Sequence, residues 1–127
     1  MNKIENIIKM RNDKAKIYRE LLSSIGYITP AYVGKGTRQT FQSYTCYVEK
    51  EGYRDKIRNA LSDENIQSQI GTYALHLEPA YKNLKRAENL DNSEKLFFNA
   101  ITLPLHKDLT YEDQEKICQI IKTTLSR

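Results

Sequence analysis

The chain has 127 residues, 39% of them hydrophobic and 28% charged, which suits one small globular domain and excludes a large multidomain enzyme. Its net charge of +4 is spread along the sequence and not gathered into a basic block, so nucleic-acid binding is not indicated. Nor does any apolar run approach the roughly 20 residues needed to cross a bilayer, and the opening Met1-Asn2-Lys3-Ile4-Glu5 lacks a signal-peptide core, so a cytoplasmic chain is expected.

From Lys3 to Ile25 the residues Ile4, Ile7, Ile8, Ala15, Tyr18, Leu21, Leu22 and Ile25 recur at three- and four-residue spacing. This predicts a long amphipathic helix over 3–25, closed by Gly26. Arg11 and Lys14 interrupt the stripe, so the helix is expected to meet two surfaces, one on each side of that gap. Residues 27–41, with Pro30, Gly34 and Gly36, show neither period and read as a loop. Ser43 to Glu49 alternates, putting Tyr44, Cys46 and Val48 on one face of a strand. Tyr53, Ile57, Ala60 and Leu61 give a short helix, and Asn65 to Ile70 a second strand, so 43–70 forms a strand-helix-strand unit. The segment from Thr72 to Tyr81 is dense in Tyr and His without a period and reads as exposed but ordered.

Asp91, Asn92 and Ser93 offer N-caps for a helix carrying Leu96, Phe97 and Ala100. It runs into Ile101-Thr102-Leu103, closed by Pro104 and read as a third, edge strand. Thr110 with Asp113 imitates a capping box for a final helix over 110–125, lined by Ile117, Cys118, Ile121 and Leu125. The expected fold is α+β: residues 1–127 as one domain, with a small three-stranded antiparallel or mixed sheet packed by helices.

Chemistry is sparse. His76 and His106 lack partners at ligand spacing, which argues against a metal site. Cys46 and Cys118 sit among Tyr, Val and Ile and read as reduced core residues, not nucleophiles or a disulfide. No glycine-rich phosphate loop occurs. The exception is the stretch from Ile70 to Tyr81, where Tyr73, His76 and Tyr81 carry polar tips on apolar bodies beside Gly71 and Pro79, a set suited to a sugar or phosphate-bearing ligand.

Four segments together carry a resemblance: Arg11, Ala15, Tyr18, Arg19 and Leu22 of the first helix; Gln42-Ser43-Tyr44; the run from Ile70-Gly71-Thr72 through His76-Leu77-Glu78-Pro79-Ala80-Tyr81; and Leu103-Pro104-Leu105-His106. In order and spacing they resemble the C-terminal part of the DegT/DnrJ/EryC1/StrS aminotransferases. These are pyridoxal-phosphate (PLP) enzymes of fold type I that aminate nucleotide-linked keto sugars for polysaccharide biosynthesis.

The resemblance implies the small domain of such an enzyme. It would border the substrate cleft and help form a homodimer, while the PLP lysine belongs to a large domain in the same or a separate chain. No lysine here has that lysine's context, and Lys82, Lys85 and Lys95 read as solvated charges. The chain alone is therefore expected to hold no cofactor and no catalytic residue, and to be inactive in transamination. Tyr73 and His76, then Tyr81, with Tyr44 near the cleft, are the substrate-binding residues implied. The alternative is a stand-alone, non-catalytic remnant acting as an interaction or regulatory module, which predicts an exposed apolar patch beside Tyr73 and His76.

Overall fold

A computed structural model describes residues 2–85 and 89–127. The first helix, α1, spans Asn2–Leu22 and stops short of Ile25. The reason is local: the Ser23 and Ser24 hydroxyls donate back to Glu20 O (2.6 Å) and Leu21 O (3.4 Å), competing with the helical ladder. The left-handed residue that turns the chain is Tyr27 (φ 66°), not Gly26.

Next comes β1, Ile28–Pro30, inside the segment expected to be loop. Three residues are too few to show a period, and Pro30 is tolerated because β1 is an edge strand. The remaining elements are β2 (Tyr44–Val48), α2 (Tyr53–Asp63), β3 (Gln69–Ile70), α3 (Asp91–Asn99), β4 (Ala100–Leu103) and α4 (Tyr111–Leu125). Two single-turn 3-10 helices, Leu75–Leu77 and Pro79–Tyr81, lie between β3 and α3. The domain is α+β as expected, but the sheet has four strands in the order β1-β2-β4-β3, each pair antiparallel.

Two expectations are thereby corrected. Residues 101–103 form a central strand, not an edge: β4 pairs with β2 (Cys46 opposite Ile101) and with β3 (Ile70 opposite Ile101). Pro104 lies one residue beyond the ladder, so its missing N–H costs no sheet hydrogen bond. The second strand begins late because Asn65 takes φ 59° and the Ile66 N–H returns to Leu61 O (2.9 Å), closing α2 in a Schellman turn before the chain extends.

The core fills the space between this sheet and α1, α2 and α4. Tyr44, Cys46 and Val48 point inward as the alternation required, joined by Tyr18, Leu22, Ile57, Leu61, Ile101, Ile117 and Ile121. Each large side chain so buried is worth about 1.5–3 kcal/mol before ordering entropy. The Tyr18 and Tyr44 rings stack 5.0 Å apart, and the Tyr18 hydroxyl donates to Pro104 O at 3.0 Å. Gln114, fully buried, donates to Lys14 O at 2.9 Å and ties α4 to α1. The expected second surface before the gap is not met by Ile4 or Ile7; the gap residues instead make polar contacts, Arg11 donating to Phe41 O and Gln42 O (2.9 and 2.8 Å) and Lys14 to Leu109 O. Ile4 and Ile7, before the gap, stay 60% and 40% exposed.

The α4 capping box forms as read. The Asp113 N–H donates to Thr110 Oγ1 (3.1 Å), and the Thr110 N–H to Asp113 Oδ2 (2.9 Å), which holds the Asp113 carboxyl below its ordinary value. Gly71 is fixed by close approach, since a Cβ there would stand 2.5 Å from Ala100 Cβ and 2.8 Å from Thr45 Cγ2.

Gly71→Ala should lose about 1–3 kcal/mol in urea unfolding, whereas Gly26→Ala, with open space and no positive φ, should stay within about 0.5 kcal/mol of wild type. Thr110→Ala should cost about 1 kcal/mol. The lowered Asp113 carboxyl contributes stability above the usual aspartate range and loses it as pH falls through the native value. Urea midpoints of wild type and Asp113→Asn should therefore differ at neutral pH and converge in acid.

Candidate functional site

After β3 the Gly71 N–H donates to Ala100 O (2.8 Å) and the chain leaves the sheet. Ala74, fully buried, pins the next stretch, which forces its neighbours Tyr73 and Leu75 outward, 65% and 63% exposed. Two tight turns follow, with the Leu77 N–H on Ala74 O (2.9 Å) and the Tyr81 N–H on Glu78 O (3.0 Å), and Pro79 opening the second.

This segment meets α3. His76 Nε2 lies 2.9 Å from Glu94 Oε1 in the first half of α3, with the imidazole only 10% exposed. The Tyr73 ring centroid is 6.5 Å from that of Phe97, which in turn meets Phe98 edge-on at 5.0 Å. Tyr73 and His76 are thus brought to one surface shared with Glu94 and Phe97. Tyr81, 45% exposed, sits on the following turn. Leu75 on the same segment and Leu96 and Phe98 on α3 are also exposed, at 63%, 46% and 51%.

Tyr44 is not on this surface. It is 2% exposed, held between the rings of Tyr18 and Phe41, and its burial pushes the phenol well above the ordinary range. The strand alternation that predicted its inward face also removes it from contact with a ligand. Arg54 is the residue that sequence reasoning passed over: it is 5% exposed and donates to Phe97 O (2.8 Å) and Ala100 O (3.3 Å). Its position three residues before Ile57 and seven before Leu61, on the buried face of α2, was the available signal.

A cavity of about 560 Å³ opens elsewhere, between the β3–β4 end of the sheet and α4, with Ile66, Leu109, His106, Asp113 and Lys116 in its wall. It includes neither Tyr73 nor His76. A PLP group needs a lysine for its carbonyl carbon, a carboxylate for its pyridine nitrogen and donors for its phosphate. The lysine on this cavity, Lys116, is paired with Glu64 at 2.8 Å, and the N-terminus of α4 is already occupied by the Asp113 carboxylate, which repels a phosphate. These residues do not fit the cofactor. Among the described residues no group of three or more His, Cys, Asp or Glu is arranged to hold a metal, and no helix is long and apolar enough to cross a membrane.

The model of the DegT/DnrJ/EryC1/StrS aminotransferase family matches residues 1–122. The chain belongs to this family. GDP-perosamine synthase of Vibrio cholerae is 30% identical over 127 residues, spanning 96% of this chain and 34% of that protein. A family aminotransferase from Brucella abortus is 29% identical, with a TM-score of 0.80 over 97% of this chain and 32% of its own. A Streptococcus pneumoniae protein named as a sugar aminotransferase, solved in its PLP form, is 28% identical, with a TM-score of 0.82 over 96% of this chain and 32% of its own. The chain therefore spans about a third of the length of the relatives it matches.

Cys46 and Cys118 are both free and buried, and desolvation pushes the Cys118 thiol up to about 12 and that of Cys46 higher still. Neither supplies a thiolate nucleophile near neutral pH. In the folded protein both should react with a thiol reagent at pH 8 at least about a hundredfold more slowly than in the denaturant-unfolded chain, followed by mass spectrometry.

Proposed function

We propose that residues 1–127 act as the small domain of a PLP-dependent nucleotide-sugar aminotransferase, with the surface of Tyr73, His76 and Tyr81 turned toward the nucleotide sugar. The observation that carries the reading is the family match over residues 1–122 in a chain spanning about a third of its relatives. The ligand is a nucleotide sugar by analogy with the relative named GDP-perosamine synthase. The Schiff-base lysine and cofactor belong to a large domain, in this chain or another, and the working unit is a homodimer.

What this chain's own residues would do is bind and orient. A phenol at the rim, on a ring that packs against Phe97, offers a directed hydrogen bond to sugar hydroxyls or phosphate oxygens, and His76, held by Glu94, borders the ligand with the small edge it leaves exposed. The exposed Leu75, Leu96 and Phe98 supply an apolar margin from which a covering domain would exclude water. That margin also favours a second reading, a non-catalytic module that docks on a full-length aminotransferase through the same face.

In the assembled enzyme, Tyr73→Phe and His76→Ala should each lower kcat/KM for the nucleotide sugar about tenfold, the worth of a hydrogen bond to a charged or well-held group. Unchanged kinetics in both variants would overturn the site assignment. Incubating the 127-residue chain with PLP and borohydride should give only low, scattered adducts over its exposed lysines, and a stoichiometric adduct on one lysine would overturn the division of labour.

A further inference from the structure

We infer that Arg54 is the positioning residue of the Tyr73–His76 surface, an inference that rests on that surface being the ligand-facing one. The guanidinium lies inside the domain on α2, its Nη1 donating to Phe97 O at 2.8 Å and Ala100 O at 3.3 Å, with Nε 2.7 Å from Asp55 Oδ1. Phe97 and Ala100 stand at the C-terminal end of α3, where orphan carbonyls gather the negative end of the helix dipole, so a cation is favoured there.

The same carbonyls hold the surface. Ala100 O also accepts from the Gly71 N–H (2.8 Å), the residue from which the Tyr73–Tyr81 segment departs. Phe97, whose carbonyl Arg54 holds, turns its ring to Tyr73, and Glu94 one turn earlier meets His76. The segment is therefore fixed at its root and at Tyr73 by residues whose carbonyls one guanidinium holds, and at His76 by the same helix.

Stability alone does not call for an arginine at this position. A buried ion can often be replaced by an apolar side chain of similar size without net loss of stability. What the rigid guanidinium plane adds is direction: with Nε set beside Asp55, one nitrogen, Nη1, is aimed at both carbonyls, which the freely rotating ammonium of a lysine does not reproduce.

The test uses the 127-residue chain with Arg54→Lys and Arg54→Met, read by nuclear Overhauser contacts. Contacts between Cys46 and Ile101 report the sheet, and contacts between the Tyr73 and Phe97 rings report the surface. The expected result is a retained sheet with the Tyr73–Phe97 cross-peaks weakened at least about threefold in both variants. Wild-type cross-peaks in either folded variant overturn the inference, as does loss of the sheet in both, which would make Arg54 a core-stability residue only.

In the assembled enzyme the same variants should raise KM for the nucleotide sugar severalfold with kcat held within about twofold. Weakened ring contacts with unchanged kinetics would leave the positioning role standing and overturn the ligand-facing reading instead.

Discussion

The fold turns on β4 lying between β2 and β3. Its four residues supply the ladder that both neighbours need, and its first carbonyl, Ala100 O, is shared by the Gly71 N–H and the Arg54 guanidinium. Gly71 must lack a side chain to come that close, with Ala100 Cβ only 2.5 Å from where its Cβ would be. Sheet closure, the end of α3 and the start of the Tyr73 segment are thus one packing event. A polar group as strong as a guanidinium is tolerated there because helix-end carbonyls and Asp55 surround it.

That coupling gives the surface its character. Tyr73, just before the first tight turn, and His76, within it, lie outside regular strands, where backbone is usually mobile, yet each is set by a partner on α3 and by the buried Ala74 between them. Polar tips supported from behind by packed groups suit ligand recognition, since little ordering entropy remains to be lost on binding. The 560 Å³ cavity near His106, by contrast, has its charges already spent on Lys116–Glu64 and on the α4 cap.

Much of this was legible from residue order. The alternation of Tyr44, Cys46 and Val48 and the Thr110–Asp113 box are local signals that appear as read, and the stripe of α1 is buried from Ala15 to Leu22 but not at Ile4 and Ile7. What escaped was non-local. β1 has three residues and is a strand only because Val48 and Cys46 stand opposite it. Pro104 reads as an edge marker, but pairing partners 30 and more positions away decide that β4 is central. Tyr44 was assigned to the site through its neighbours in a family motif, against its own alternation. Arg54 goes unread in the sequence because the carbonyls that hold it lie over 40 residues downstream.

On the proposed function, this domain shapes a sugar-binding cleft whose cofactor lysine lies in a large domain. The most direct measurement is native mass spectrometry of the particle that contains this sequence in its own cells, with peptide mapping of every polypeptide in it. The expected result is a PLP-carrying dimeric assembly in which a large domain, continuous with these residues or bound to them, bears the Schiff-base lysine. A particle made of this 14.8 kDa chain alone, without PLP, would contradict it.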